Sequence, residues 1–390
     1  MRYVRCGLNF KICTNCKHTP TSLYNAINPK KEEILLDIYS GPYAKQKIRE
    51  HGFNAELFDT ILGASGGPKW FVLAGLDRTL VSEFFATCNQ SIDVIGTSAG
   101  AFRAACMCQR DSRAAIDRLA HFYSNTIYSD KPSPVEISQS AADILGKMLG
   151  ETGVKEILTN SRFKAHFIVA RSKGLVASEN SKLQMLGLIQ SAFANMLSRT
   201  RLTRYFDRVN FGTQPLNIID PYHLGNQFVP LTEDNLEPAL LASGSIPMVM
   251  SGISDIPGAG QGMYRDGGIT DYHFDLQFSK HQKNTGLTLY PHFYPRPITG
   301  WFDKRLTHRI PHAASYDNVV MLVPSREFVA SLPYGKISDR NDFAKMTPEQ
   351  RIPYWQTILS ESDRLAEYFF DAIKTGRIVD EIRDFEFAVK

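Results

Sequence analysis

Two strand–turn–helix units in immediate succession constrain the fold of this chain more than any other feature. Phe58-Asp59-Thr60-Ile61-Leu62 has the content of a buried strand and enters the Gly-rich turn Gly63-Ala64-Ser65-Gly66-Gly67-Pro68-Lys69. A helix follows, with Phe71, Leu73, Ala74, Leu76 and Leu80 as its apolar face. The pattern then repeats: Ile92-Asp93-Val94-Ile95 runs into Gly96-Thr97-Ser98-Ala99-Gly100, and a helix leaves through Ala101 to Gln109. Such a pair implies a parallel sheet with helices on its faces, and the right-handed crossover places both turns at the same edge of that sheet.

At 390 residues the whole chain fits one large domain or two ordinary ones. With 43% hydrophobic and 22% charged residues it can bury a core, which excludes disorder for most of its length. A net charge of +4 is too small to point to nucleic acid. No apolar run reaches the roughly 18 residues of a membrane span, and MRYVRCGLNFKICTNC lacks the apolar run of a secretory signal. The expected location is therefore cytoplasmic or peripheral to a membrane, with specialised secretion left open. Residues 1–32 read as a leader of unassigned role, ending in the linker-like Asn28-Pro29-Lys30-Lys31. Cys6, Cys13, Cys16 and His18 crowd that leader, but a structural zinc site uses two well-spaced ligand pairs, so no metal is expected. Cys88, Cys106 and Cys108 read as small buried hydrophobes. Residues 33–330 form the main domain in this reading, and 331–390 a helical segment packed on its core.

Residues 34–51 read as a helix and its exit, 165–170 as a strand, 236–242 as a short helix and 319–323 as a late strand. Residues 131–160 alternate helical and turn signals. Residues 216–219 and 227–231 look like two strands around a Gly turn. Leu183, Leu186, Ile189, Phe193 and Leu197 make a helical stripe, followed by Arg199, Arg201, Arg204 and Arg208. That stripe reads first as a core-facing helix with a solvated basic exit, and second as a membrane-touching surface. The last helix has a start signal in Thr347, Pro348 and Gln350, and a face of Trp355, Ile358, Leu359, Leu365, Tyr368 and Phe369.

Three turns carry the chemistry. Gly96-Thr97-Ser98-Ala99-Gly100 fits a nucleophile elbow, where a Ser on a sharp strand-to-helix turn is held above the sheet and flanking side chains would collide with strand or helix. Gly63 to Lys69 offers backbone N–H groups at a helix start, a site for negative charge. It lacks the spacing of a P-loop or of a dinucleotide turn, and the elbow one strand away favours an oxyanion hole. Asp266-Gly267-Gly268 brings a carboxylate into a tight turn; alone it would read as a surface turn.

Taken in order, these motifs resemble the patatin-like phospholipases. Ser65-Gly66-Gly67-Pro68-Lys69-Trp70 resembles that family's oxyanion loop, Gly96 to Gly100 its elbow, Ala242-Ser243-Gly244-Ser245-Ile246-Pro247 its Ala-Ser-x-x-Ile-Pro turn, and Asp266-Gly267-Gly268 its Asp-Gly-Gly/Ala. The resemblance spans roughly residues 58–275. It implies a three-layer α/β/α fold with a mostly parallel central sheet, and a main domain that is catalytic. It implies a Ser98–Asp266 dyad that cleaves lipid esters, phospholipid or lysophospholipid first, through an acyl-enzyme and without a cofactor. Gly66, Gly67, Pro68 and Lys69 would hold the oxyanion and substrate, with Gly96, Gly100, Gly267 and Gly268 shaping the turns. The partner implied is a lipid ester at a membrane or micelle surface. Ser65 and Trp70 stand where the family has Gly, Lys69 where Arg is more frequent, and Asp271-Tyr272-His273 where it often has Asn-x-Pro. Two alternatives stay open. His273, His281, His292, His308 or His312 could complete a Ser-Asp-His triad by chain order, giving an esterase for non-lipid substrates. A lipid-binding module with little turnover is the other.

Overall fold

The computed structural model describes residues 33–278 and 286–387. The Cys6, Cys13, Cys16 and His18 cluster and His281 lie outside the described residues. The described chain begins with β1 (Leu36–Ser40), α1 (Pro42–His51), β2 (Phe58–Gly63), α2 (Ala74–Thr79), β3 (Ile92–Thr97), α3 (Ala99–Met107) and α4 (Ser112–Ser124). It continues through α5 (Pro134–Leu149), α6 (Gly153–Thr159), β4 (Phe163–Ser172), α7 (Ser181–Leu197), β5 (Phe206–Gly212), β6 (Ile218–Ile219) and β7 (Gln227–Pro230). Then come α8 (Leu236–Gly244), β8 (Ile253–Ser254), β9 (Met263–Asp266), β10 (Gln277–Phe278), β11 (Leu287–Pro291) and β12 (Val319–Pro324). The C-terminal part holds α9 (Arg326–Ser331), α10 (Asp342–Lys345), α11 (Pro348–Glu361), α12 (Asp363–Thr375), α13 (Ile378–Glu381) and β13 (Ile382–Asp384).

The fold is α/β, with a mostly parallel central sheet flanked by helices. Its main path runs β13-β1-β12-β11-β2-β3-β4-β5-β7. The five strands from β12 to β4 are mutually parallel, and β3, β11 and β12 are buried along their whole length. Near-continuous apolar runs such as Val319-Val320-Met321-Leu322-Val323 are what a strand covered on both faces requires. Asp93 is buried in β3 because His166 (3.1 Å) and Gln214 (2.6 Å) meet its carboxylate.

The register Gly63↔Gly96 sets the two Gly-rich turns side by side at the carboxyl ends of β2 and β3. The chain adds β3 and β4 on one side of β2 and β11 and β12 on the other, so β2 sits at a switch point, where open α/β sheets bind ligands. A side chain on Gly96 would collide with the Gly100 carbonyl, and one on Gly100 with the Gly63 carbonyl. These glycines let α3 start directly against the strand ends. A buried bidentate ion pair, Arg103 to Asp77 (2.6 and 2.7 Å), then ties α3 to α2.

Four sequence-based expectations are corrected. Residues 36–40 form a strand, not the start of a helix; Gly41 passes so close to the Tyr316 and Asp317 carbonyls that no side chain fits there, and the helix begins at Pro42. The strands at 218–219 and 227–230 do not pair with each other: β6 pairs with β10, and β7 runs parallel to β5. The C-terminal helical run divides at Ser362, whose hydroxyl accepts the Gly75 N–H (2.9 Å) and anchors the junction on α2. Its capping box at Thr347 and Gln350 is present.

The fourth is the stripe on α7, which faces solvent. Leu183, Met185, Leu186, Ile189, Phe193, Met196 and Leu197 are exposed, while Gln184, Gly187, Leu188, Ser191, Ala194 and Asn195 are buried. The inward amides find partners: Gln184 donates to the Ser178 carbonyl (2.9 Å) and accepts from the Met248 N–H (2.8 Å), and Asn195 donates to Asp303 (2.7 Å), although Asn195 Oδ1 has no partner among the described residues. Gly187 admits the Val176 backbone where a side chain would collide. The basic exit is also half internal. Arg199 pairs with Asp303, and Arg208 with Asp271 and Asp220, whereas Arg201 and Arg204 are exposed. Cys88, Cys106 and Cys108 are buried free thiols, as expected. No described helix is long and apolar enough to cross a membrane.

Candidate active site

Ser98 sits at the end of β3 with φ 55° and ψ −128°, a conformation that costs a non-Gly residue of order 1–3 kcal/mol. The bend turns its hydroxyl away from the sheet and out of α3. Its N–H is held by the Ser243 hydroxyl (2.9 Å), which in turn donates to the Ile168 carbonyl on β4 (2.8 Å). Ser243 thus braces the strained residue from α8.

Asp266 ends β9, which pairs antiparallel with β4 in the register Val169↔Asp266. Ser98 Oγ donates to Asp266 Oδ2 at 2.9 Å, and the Gly268 N–H donates to Oδ1 at 2.6 Å. A side chain on Gly267 would collide with the Ile168 carbonyl, so the turn can lie flat against β4 only as Gly. Arg208 grips Asp271 through two bonds (2.7 and 2.8 Å) and fixes the chain just beyond the turn. Burial pushes the Asp266 carboxyl up to about 6, against the lowering effect of the Gly268 and Ser98 hydrogen bonds and of the Lys304 and Arg340 charges.

The Gly-rich turn lies beside this pair. Gly66 has no room for a side chain against the Phe293 ring, and Gly67 is left-handed at φ 56°. Neither N–H is taken by an acceptor among the described residues, as befits the first donors of a helical segment starting at Gly67. The Ser65 N–H bonds the Tyr272 carbonyl (3.0 Å), and the Ser338 hydroxyl donates to the Pro68 carbonyl (2.6 Å), which together fix the loop from two sides. Lys69 is paired with Asp339, and Trp70 is buried beneath the loop against Phe71.

The Ser98–Asp266 pair and the Gly-rich turn border one cavity of about 710 Å³, within the roughly 300–1,000 Å³ of small-molecule sites. Ser65, Gly66, Gly67, Lys69, Ser98, Asp266 and Gly268 line it together with Phe102, Leu119, Ile137, Ile144, Leu241, Ile246 and Phe343. Of the expected residues, Pro68, Gly96, Gly100 and Gly267 do not line it; they shape the backbone around it. The cavity also holds two cations that no motif revealed, Lys304 and Arg340. The Lys304 ammonium stands 4.0 Å from the centre of the Tyr272 ring. Lys304 is exposed on its outer side, and desolvation against the cavity wall, reinforced by the Arg340 and Lys69 charges, lowers its pKa to about 8.

No described histidine lines the cavity. His273 is buried and accepts the Ile298 N–H at Nδ1 (2.8 Å); burial holds it well below the usual imidazole range. His292 accepts the Tyr294 N–H (3.0 Å) and is lowered to about 3 by burial, and His312 pairs with Asp275 (3.0 Å). His308 is exposed.

The search of curated proteins finds no match. The family model described as patatin-like phospholipase matches residues 93–273, a segment that opens in β3 and runs through Ser98, the α8 turn and Asp266. Through that segment the chain is similar to the patatin-like phospholipases.

Proposed function

We propose that this protein is a lipid acyl hydrolase that cleaves carboxylic esters of phospholipids or lysophospholipids with Ser98 and Asp266. The observation that carries this reading is the 2.9 Å hydrogen bond from Ser98 Oγ to Asp266, made in an apolar cavity beside the unclaimed N–H groups of Gly66 and Gly67. Nucleophile, base and anion donors are the parts that acyl transfer needs within one site.

In the first step Ser98 Oγ attacks the ester carbonyl carbon while Asp266 takes its proton. The carbonyl oxygen becomes an oxyanion that accepts from Gly66 and Gly67; losing one such donor typically costs about 10²–10³ in rate. The intermediate collapses, the C–O bond to the alcohol breaks, and Asp266 returns the proton to the departing oxygen. Water then attacks the acyl-enzyme and gives its proton to Asp266; collapse releases the fatty acid and restores the Ser98 hydroxyl. Burial suits Asp266 to this task, since a base nearer neutrality takes a hydroxyl proton more readily.

The apolar wall from Phe102 to Phe343 suits an acyl chain, and Lys304 and Arg340 suit a phosphate group. They favour phospholipid or lysophospholipid over neutral glyceride. The test is fatty-acid release from a mixed phospholipid and lysophospholipid suspension, with a glyceride in parallel. Wild type is expected to release fatty acid from the phosphate-bearing lipids, and Ser98→Ala to release none. Equal release by both proteins would overturn the reading.

A further inference from the structure

We infer that the outward face of α7 is the surface by which this protein docks on an anionic lipid bilayer, an inference that rests on the lipid-hydrolase reading of the cavity. A packed helix normally turns its apolar stripe to the core. Here the arrangement is inverted: Ile189 and Phe193 are each 59% exposed, with Leu183, Leu186, Met196 and Leu197 on the same outward face. A contiguous apolar patch of this kind on a soluble surface marks a contact site.

Charge decides what makes the contact. The helix contains no Asp or Glu; Lys182 stands at its start, and Arg201 and Arg204 just beyond its end. All three cations are exposed and unpaired among the described residues. The nearest acids in sequence on either side, Glu179 and Asp207, are engaged by Arg265 and by Arg171 and Lys173. A second copy of the chain would bring like charges together: an antiparallel pairing sets Lys182 against Arg201 and Arg204, and a parallel one sets each against itself. Anionic headgroups satisfy all three at once while the stripe enters the acyl boundary.

The position of α7 connects this surface to the cavity. On its inner face Gln184 holds the Met248 N–H, between the cavity-lining Pro247 and Val249. Leu188 belongs to the cluster against which Trp301 packs, and Trp301 lines the cavity too. A helix seated in a bilayer would set that wall of the cavity against the lipid.

The test uses the full chain and vesicles of phosphatidylcholine with or without phosphatidylglycerol, read by co-sedimentation. Wild type is expected to bind the anionic vesicles. Ile189→Asp with Phe193→Asp is expected to bind at least about tenfold more weakly, with an unchanged thermal midpoint because both side chains are exposed. Arg201→Ala and Arg204→Ala should each weaken binding about fivefold on anionic vesicles and not on neutral ones. Turnover of a soluble short-chain ester is measured in parallel and should be equal in wild type and the double variant. Loss of that turnover in wild type would count against the hydrolase reading, whereas the vesicle result judges the docking surface. Wild-type binding by the double variant would overturn the proposal. So would a dimeric wild type that the double variant makes monomeric, because a second copy would then cover the face.

Discussion

At the scale of single residues, the site couples two opposed demands on Asp266. The fold buries a carboxylate, and the proposed reaction needs it ionised. A rise from 3.8 to about 6 corresponds to roughly 3 kcal/mol of destabilisation once the group is charged. Between these values the folded state keeps a proton that the unfolded chain has released, so stability from this group falls as pH rises through that window. Asp266→Asn should therefore abolish turnover and raise the thermal midpoint at pH 8, with the gain fading toward pH 4; a lowered midpoint at pH 8 would contradict this. Wild-type kcat/KM on a neutral ester should rise with pH through an inflection near 6. On a phosphate-bearing substrate a second limb should fall near 8, as Lys304 loses its charge, and Lys304→Met should remove that limb alone. Ser243→Ala takes the brace from the Ser98 N–H and leaves the buried Ile168 carbonyl without that donor. We expect it to cost about 1–3 kcal/mol of stability, read by urea unfolding, and to lower kcat more than it raises KM.

Among the secondary-structure elements, the site rests on close backbone approaches and one buried ion pair. The start of α3 meets β2 and β3 through Gly63, Gly96 and Gly100, so Gly100→Ala must push the elbow off the sheet. It is expected to cost about 1–3 kcal/mol and most of the activity. Arg103→Met leaves Asp77 charged and buried, at a cost of about 3–5 kcal/mol, and Asp77→Leu in the same chain should restore much of the loss. Equal urea midpoints for the single and double variants would refute that coupling. This scale also shows what a sequence can and cannot tell. Strands β2 and β3 and their turns were legible because an interior parallel strand needs an unbroken apolar run and a sharp turn needs Gly. Strand β1 was not, because Leu36, Ile38 and Tyr39 beside a helix-forming segment read as one period. On α7 the period was right and the facing wrong: periodicity detects a stripe, but not whether polar residues on the other side find partners inside. Gln184 and Asn195 find theirs on segments about 60 and 110 residues downstream.

Over the whole molecule, the cavity is assembled from parts that no single motif contains. Ser98 and Asp266 are 168 residues apart in sequence, joined because β3 and β9 both pair with β4. Their Gly-rich surroundings made them visible as candidates. Lys304 and Arg340 were invisible, since a lone cation in a loop has no spacing to betray it. Residues 338–344 reach back to the Gly-rich turn through Ser338 and Asp339 and wall the cavity through Arg340 and Phe343, so the C-terminal part of the chain helps shape the site. The central claim is that Ser98, activated by Asp266 alone, is the acylated residue. Intact-mass spectrometry after exposure to an alkyl fluorophosphonate tests it directly: Ser98 Oγ displaces fluoride and keeps the phosphonyl group. The account predicts one adduct per chain, mapped to Ser98, absent in Ser98→Ala, greatly slowed in Asp266→Asn and unaffected by His273→Ala. An adduct that persists in Ser98→Ala, or one whose rate collapses when a histidine is replaced, would contradict it.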